Sequence, residues 1–91
     1  MPSYNPPVRD MQFVLHEVLN VADELKALPA HAETDADTIN AVIEEAGKFA
    51  AEVTFPLNIS GDEEGCTLDK ATHEVKTPKG FKDAYAKYVE G

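Results

Sequence analysis

Two runs of apolar residues at helical spacing, separated by Pro29, constrain this chain more than any other feature. Met11, Val14, Leu15, Val18, Val21, Ala22, Leu25 and Leu28 follow the i, i+3, i+4, i+7 pattern of a helix with one apolar face. Ile39, Val42, Ile43, Ala46, Phe49, Ala50 and Val53 repeat it, with Glu44, Glu45, Lys48 and Glu52 opposite. A short connection between two such helices makes them antiparallel neighbours. The pattern therefore predicts an all-α fold built on a helical hairpin, about 8–28 and 36–55.

The punctuation agrees with this reading. Residues 1–7 hold three of the six prolines and predict an extended arm. Pro29 ends the first helix, and Thr34 or Asp35 can cap the second by accepting free backbone N–H groups. Ala46, Gly47, Ala50 and Ala51 form a patch of small side chains. A glycine in a helix interior costs about 1 kcal/mol relative to alanine, so Gly47 points to close packing. Phe13 lies outside the first apolar stripe, as a second contact face or a singly exposed aromatic.

Pro56 predicts failure of the second helix near Thr54 or Phe55, with Gly61 and Gly65 supplying turn conformations and Leu57 and Ile59 reaching back to the core. From residue 66 to 76 the polar run Asp69 to Glu74 separates Leu68 from Val75, which reads as a tiny irregular β-hairpin or a bare loop. Thr77-Pro78 is a helix-start signal, and Phe81, Ala84, Tyr85 and Tyr88 then recur at helical spacing. A third short helix is expected over about 78–89. The 91 residues are read as a single helical unit with a thin core, since a domain this small hides only about 60% of its unfolded surface.

Charge and composition exclude several functions. A net charge of −9 with Arg9 as the only arginine opposes nucleic-acid binding. Asp10 to Glu64 carries thirteen acids against two lysines, whereas 66–91 carries four acids and five lysines, an imbalance that favours solubility and intramolecular attraction. No apolar run approaches the ~20 residues of a membrane span. The N-terminal residues are neither basic nor apolar enough for a secretory signal, and Cys66 has no internal disulfide partner. A cytoplasmic location is expected, which makes the sequon Asn58-Ile59-Ser60 incidental.

The residues offer no reaction centre. His16-Glu17 begins like the zinc-protease motif but ends in Asn20 rather than a second histidine, so a solvated helix face is expected there. His31 and His73 fall in predicted loops. Asn58 to Asp69 has oxygens at calcium-loop intervals, yet Glu63 stands where that loop needs glycine. Cys66 would need a positioned base, and its neighbours Glu63, Glu64 and Asp69 are acids. Gly61 and Gly65 form no phosphate cradle. No catalytic, cofactor-binding or metal-binding residue is assigned.

Two stretches resemble a known family. Tyr4 to Leu15, with Pro6-Pro7 ahead of Arg9-Asp10-Met11, looks like the N-terminal segment of a subgroup of bacterial acyl-CoA dehydrogenases. Phe49 to Cys66, followed by Thr77-Pro78-Lys79-Gly80-Phe81 and Tyr85, is similar to the next part of the same enzymes. The resemblance implies the N-terminal helical region of a flavoprotein oxidoreductase of fatty-acid metabolism. In that family FAD is held by the middle and C-terminal domains and oxidises an acyl-CoA to its 2-enoyl product.

The family's catalytic carboxylate comes from the C-terminal helices, so Glu44, Glu52 and Glu90 are not assigned that role. The resemblance implies that these helices wall off part of the acyl pocket and pack on the remaining domains. Phe13, Phe81, Tyr85 and Tyr88 then become candidate docking residues, and the 91 residues alone are expected to be inactive and free of FAD. A competing expectation, from the shortage of core, is a stand-alone helical module that self-associates.

Overall fold

The computed structural model describes residues 3–91. It is mostly helical, as the periodicity predicts, with α1 Val8–Phe13, α2 Val21–Leu25, α3 Ala36–Phe49, α4 Phe55–Glu64 and α5 Phe81–Glu90. A two-stranded antiparallel sheet, β1 Thr67–Leu68 and β2 Val75–Lys76, completes it. Contacts gather into two compact units, Asn5–Lys48 and Phe49–Gly91 with residues 3–4.

In Asn5–Lys48 the predicted hairpin forms with its helices antiparallel. Val8 at the start of α1 lies against Gly47 near the end of α3, while His16 meets Asn40 further back along it. Gly47 is buried, and a Cβ there would stand 3.0 Å from Val8 Cγ2 and 3.5 Å from Pro6 Cβ. Gly47 therefore admits the chain entering α1, which is the close packing predicted for it. Asp35 takes the capping role: its Oδ1 accepts the Thr38 amide at 2.8 Å.

The expected continuous helix over 8–28 is interrupted. A π-helical turn occupies Val14–Val18, with the Leu19 amide reaching back to the Val14 carbonyl at 2.9 Å, and Asn20 adopts φ 50°. That left-handed residue breaks the backbone ladder, and the chain re-enters helix only at Val21. Asparagine tolerates this region because its short side chain bonds locally; here Nδ2 donates to Asp23 Oδ2 at 2.9 Å. A 3₁₀ turn, Pro29–His31, follows Leu28.

The unit Phe49–Gly91 corrects the expected stop at Pro56. Helix resumes as α4, preceded by a π-helical turn over Ala50–Thr54 in which the Phe55 amide bonds the Ala50 carbonyl. Proline fails in a helix interior because it lacks an N–H and crowds the carbonyl four residues back. The wider turn places Pro56 within the first two positions of α4, where that N–H is not required. Gly61, expected in a turn, is instead buried inside α4 against the Phe81 ring, and α4 ends at Gly65 with φ 71°.

The polar run folds as a hairpin with Thr67 opposite Lys76 and Leu68 opposite Val75. Asp69 organises its loop by accepting the amides of Ala71 at 2.9 Å and Thr72 at 3.2 Å. The third helix begins at Phe81 rather than near residue 78. Thr77 caps nothing; Gly80 occupies the N-cap with φ 94°, and Glu64 Oε2 accepts the Lys79 amide at 2.7 Å. Gly80 lies so close to Leu57 that a Cβ would meet Cδ2 at 2.8 Å, so the turn needs glycine for both its conformation and its clearance.

Candidate functional site

Helices α4 and α5 run antiparallel and build an apolar groove. Phe81, at the start of α5, covers Gly61 late in α4, while Tyr88 near its end meets Phe49 edge-on at 5.9 Å between ring centroids. Along the groove between these contacts the lining includes Tyr4, Phe55, Leu57, Ala84 and Tyr85, with Thr54 and Asn58 as polar members. Its volume is about 740 Å³ and it opens widely to solvent. A second open groove of about 600 Å³ is lined by Ala51, Pro56, Ile59 and Glu63 and shares Tyr4 and Phe55 with the first.

Three of the four candidate docking residues share this first groove: Phe81, Tyr85 and Tyr88. Tyr85 and Tyr88 stay 69% and 67% exposed, so two large rings on α5 face largely outward even though Tyr88 touches Phe49 at its edge. Phe13 belongs to the unit Asn5–Lys48 and is 58% exposed there. Among the described residues Ala84 and Pro78 are the apolar side chains that are buried. Helical spacing located the α5 aromatics; the contribution of Tyr4 and Phe55, far apart in sequence, had no local signal.

The polar candidates do not converge. His16 is not on a solvated face, because Nε2 sits 2.7 Å from Asn40 Oδ1 and ties the π-helical turn to α3. His31 and His73 are exposed, and Cys66 is exposed as well. Residues 58–64 lie in α4, so their oxygens spread around a helix instead of ringing a cation. Among the described residues no three His, Cys, Asp or Glu side chains group at metal-ligating distance.

Three aspartates are shifted, each by a local hydrogen bond. The Thr38 amide holds Asp35 below the 3.8 of a free aspartate. The Ala71 amide, then that of Thr72, does the same to Asp69. The Asn20 side chain, followed by Lys26, lowers Asp23. These are carboxylates kept ionised by turn and cap geometry, in contrast to the raised carboxyls that serve as general acids.

The residues lining the groove do not fit a flavin dinucleotide. Its diphosphate calls for cations or a convergent set of backbone N–H groups. Among the described residues, the lining of the first groove has neither Lys nor Arg, and the second groove adds the carboxylate of Glu63. The arrangement can shelter apolar groups or receive another apolar surface.

No family model matches the chain. It is 36% identical over 88 residues to 3-methylmercaptopropionyl-CoA dehydrogenase of Ruegeria pomeroyi, an alignment that takes in 97% of this chain. The chain spans 14% of that relative. The likeness read from the Pro6-Pro7, Arg9-Asp10-Met11 and Phe49 to Cys66 motifs is thereby borne out: along nearly its whole length this chain is related to a short portion of a bacterial acyl-CoA dehydrogenase.

Proposed function

We propose that these 91 residues are the N-terminal helical part of a larger FAD-dependent acyl-CoA dehydrogenase, with a structural and pocket-wall role. The observation that carries this reading is the match that takes in 97% of the chain but 14% of the relative. The aromatic groove between α4 and α5 supports it as the face on which the remaining domains pack. Such a wall keeps water from a reaction whose charges are stronger in a dry site. In the parent enzyme the flavin supplies the hydride acceptor and an acyl-CoA thioester is the substrate class. This chain contributes shape and exclusion, and its expected location is the cytoplasm.

The test is the reading frame beyond the codon for Gly91. A frame that continues into flavin-binding sequence is expected; a stop codon at that point sinks the proposal. The purified 91-residue chain is expected to be colourless and to leave acyl-CoA unoxidised with an artificial electron acceptor. Stoichiometric flavin absorbance would overturn the assignment of FAD to other domains.

A second reading is a helical module that self-associates. It is favoured by the exposed apolar side chains of the unit Asn5–Lys48, where Val18 and Val42 are 61% and 64% exposed. Light scattering over a dilution series tests it: a strict monomer at all concentrations removes the module, whereas association is compatible with either reading.

A further inference from the structure

The apolar spacing of Met11, Val14, Leu15, Val18, Val21, Ala22, Leu25 and Leu28 runs unbroken across the point where the helix itself breaks. On one continuous α-helix, at about 100° per residue, these side chains fall within an arc of about 140°. In the structure a π-helical turn and the left-handed Asn20 put the two halves out of phase, and Val18 and Leu28 stay 61% and 51% exposed.

The position of the break has a physical cause inside the unit Asn5–Lys48. Val8 lies against Gly47, and His16 Nε2 is 2.7 Å from Asn40 Oδ1, which fixes the antiparallel register of the first helical stretch on α3. The same register sets Asn20 level with Ala36, where α3 begins. Beyond it a straight helix has no α3 to lie on, and Val21 to Leu28 would project about 12 Å past that end. The connection from Pro29 to Asp35 is long enough to return from there, since its extended reach is about 23 Å. Chain length thus permits a continuous helix as well as the broken one.

We propose that Asn20 is a two-state hinge. In the broken form its left-handed backbone interrupts the helix, and Nδ2 donates to Asp23 Oδ2 at 2.9 Å. In the merged form residues 8–28 are one helix, and the second half of the apolar stripe stands beyond α3. His16, tied to Asn40, is the last fixed point before the hinge. The two states belong to one unit of the chain, whether or not it acts within a dehydrogenase.

The test is backbone NMR of the 91-residue chain, comparing the wild type with Asn20→Ala and Asn20→Gly. Alanine disfavours the left-handed region, so the ratio of merged to broken chains should rise about five- to thirtyfold. Residues 19–21 should then move to helical Cα shifts, and the amides of Val21, Ala22 and Asp23 should gain protection from exchange. Glycine accepts the left-handed region and disfavours helix, so Asn20→Gly should keep the broken pattern. In the wild type, relaxation dispersion at Leu19 to Val21 should report a minor form with helical shifts. An Asn20→Ala chain that keeps a non-helical shift at residue 20 overturns the proposal, because packing alone then imposes the break. Loss of the helical shifts of α1 and α2 in that variant also overturns it, since no merged form is then available. Flat dispersion in the wild type does so too, because the merged form is then unpopulated.

Discussion

At the scale of single residues, Gly61 and Gly47 look alike in sequence but face different neighbours. A Cβ at Gly61 would stand 2.6 Å from Phe81 Cζ and 2.7 Å from Cε1, so the ring must move out of the groove wall. Overpacking of this kind costs about 1–3 kcal/mol, against about 1 kcal/mol regained by alanine in a helix. Gly61→Ala is therefore expected to lower stability by up to about 2 kcal/mol in urea unfolding. At Gly47 the nearest atom is a valine methyl at 3.0 Å, and a small rotation relieves it. Gly47→Ala should unfold within about 0.5 kcal/mol of the wild type, because the helical gain offsets the crowding. A larger loss at Gly47 than at Gly61 would reverse the assigned tightness of the two contacts. The sequence marked Gly47 as a packing glycine because helix surrounds it. Gly61 was hidden by Pro56, which made a turn the simpler reading.

At the scale of elements, periodicity found the helices and missed their defects. Met11 to Leu28 keeps its apolar spacing on paper, but that pattern does not register a π-helical turn at Val14–Val18 or a left-handed residue. The exception is carried by Asn20 alone, at φ 50°. An L-residue with a β-carbon and no local side-chain bond pays about 1–2 kcal/mol there. Asn20→Ala should consequently lose about 1 kcal/mol of stability, whereas Asn20→Gly should be near neutral. If alanine and glycine behave alike, the break is not held by the conformation of residue 20. Pro56 presents the converse lesson. A proline rule applied to an ordinary helix forbids α4, and the π-helical turn over Ala50–Thr54 evades the rule by making Pro56 an early residue of a new helix. Pro56→Ala is expected to retain the far-UV helicity of the wild type, since α4 does not depend on proline to begin. The start of α5 was misplaced for a related reason: Thr77-Pro78 carries a capping signal, but Glu64, reaching from α4, takes the Lys79 amide.

At the scale of the whole molecule, two electrostatic effects oppose each other as acid is added, and the shifted aspartates decide between them. A net charge of −9 implies self-repulsion that protonation relieves, which by itself would favour the fold at low pH. Only differences between folded and unfolded proton affinity enter the linkage, however. Asp23, Asp35 and Asp69 are all lowered by hydrogen bonds that exist only in the fold: to Asn20 first and then Lys26, to Thr38, and to Ala71 and Thr72. Below the free-aspartate value of 3.8 the unfolded chain binds more protons at these positions than the folded chain does. Stability therefore rises with pH through that window. Their contribution is fully present above 3.8 and is lost as pH falls through each lowered folded value. The thermal midpoint followed by circular dichroism should be flat near neutrality and fall from about pH 4 downward. Replacing all three aspartates by asparagine preserves acceptors at the same positions while removing the titration, so the fall should become shallower. A wild-type midpoint that rises on acidification would show that relief of the negative charge outweighs the three local hydrogen-bond sets.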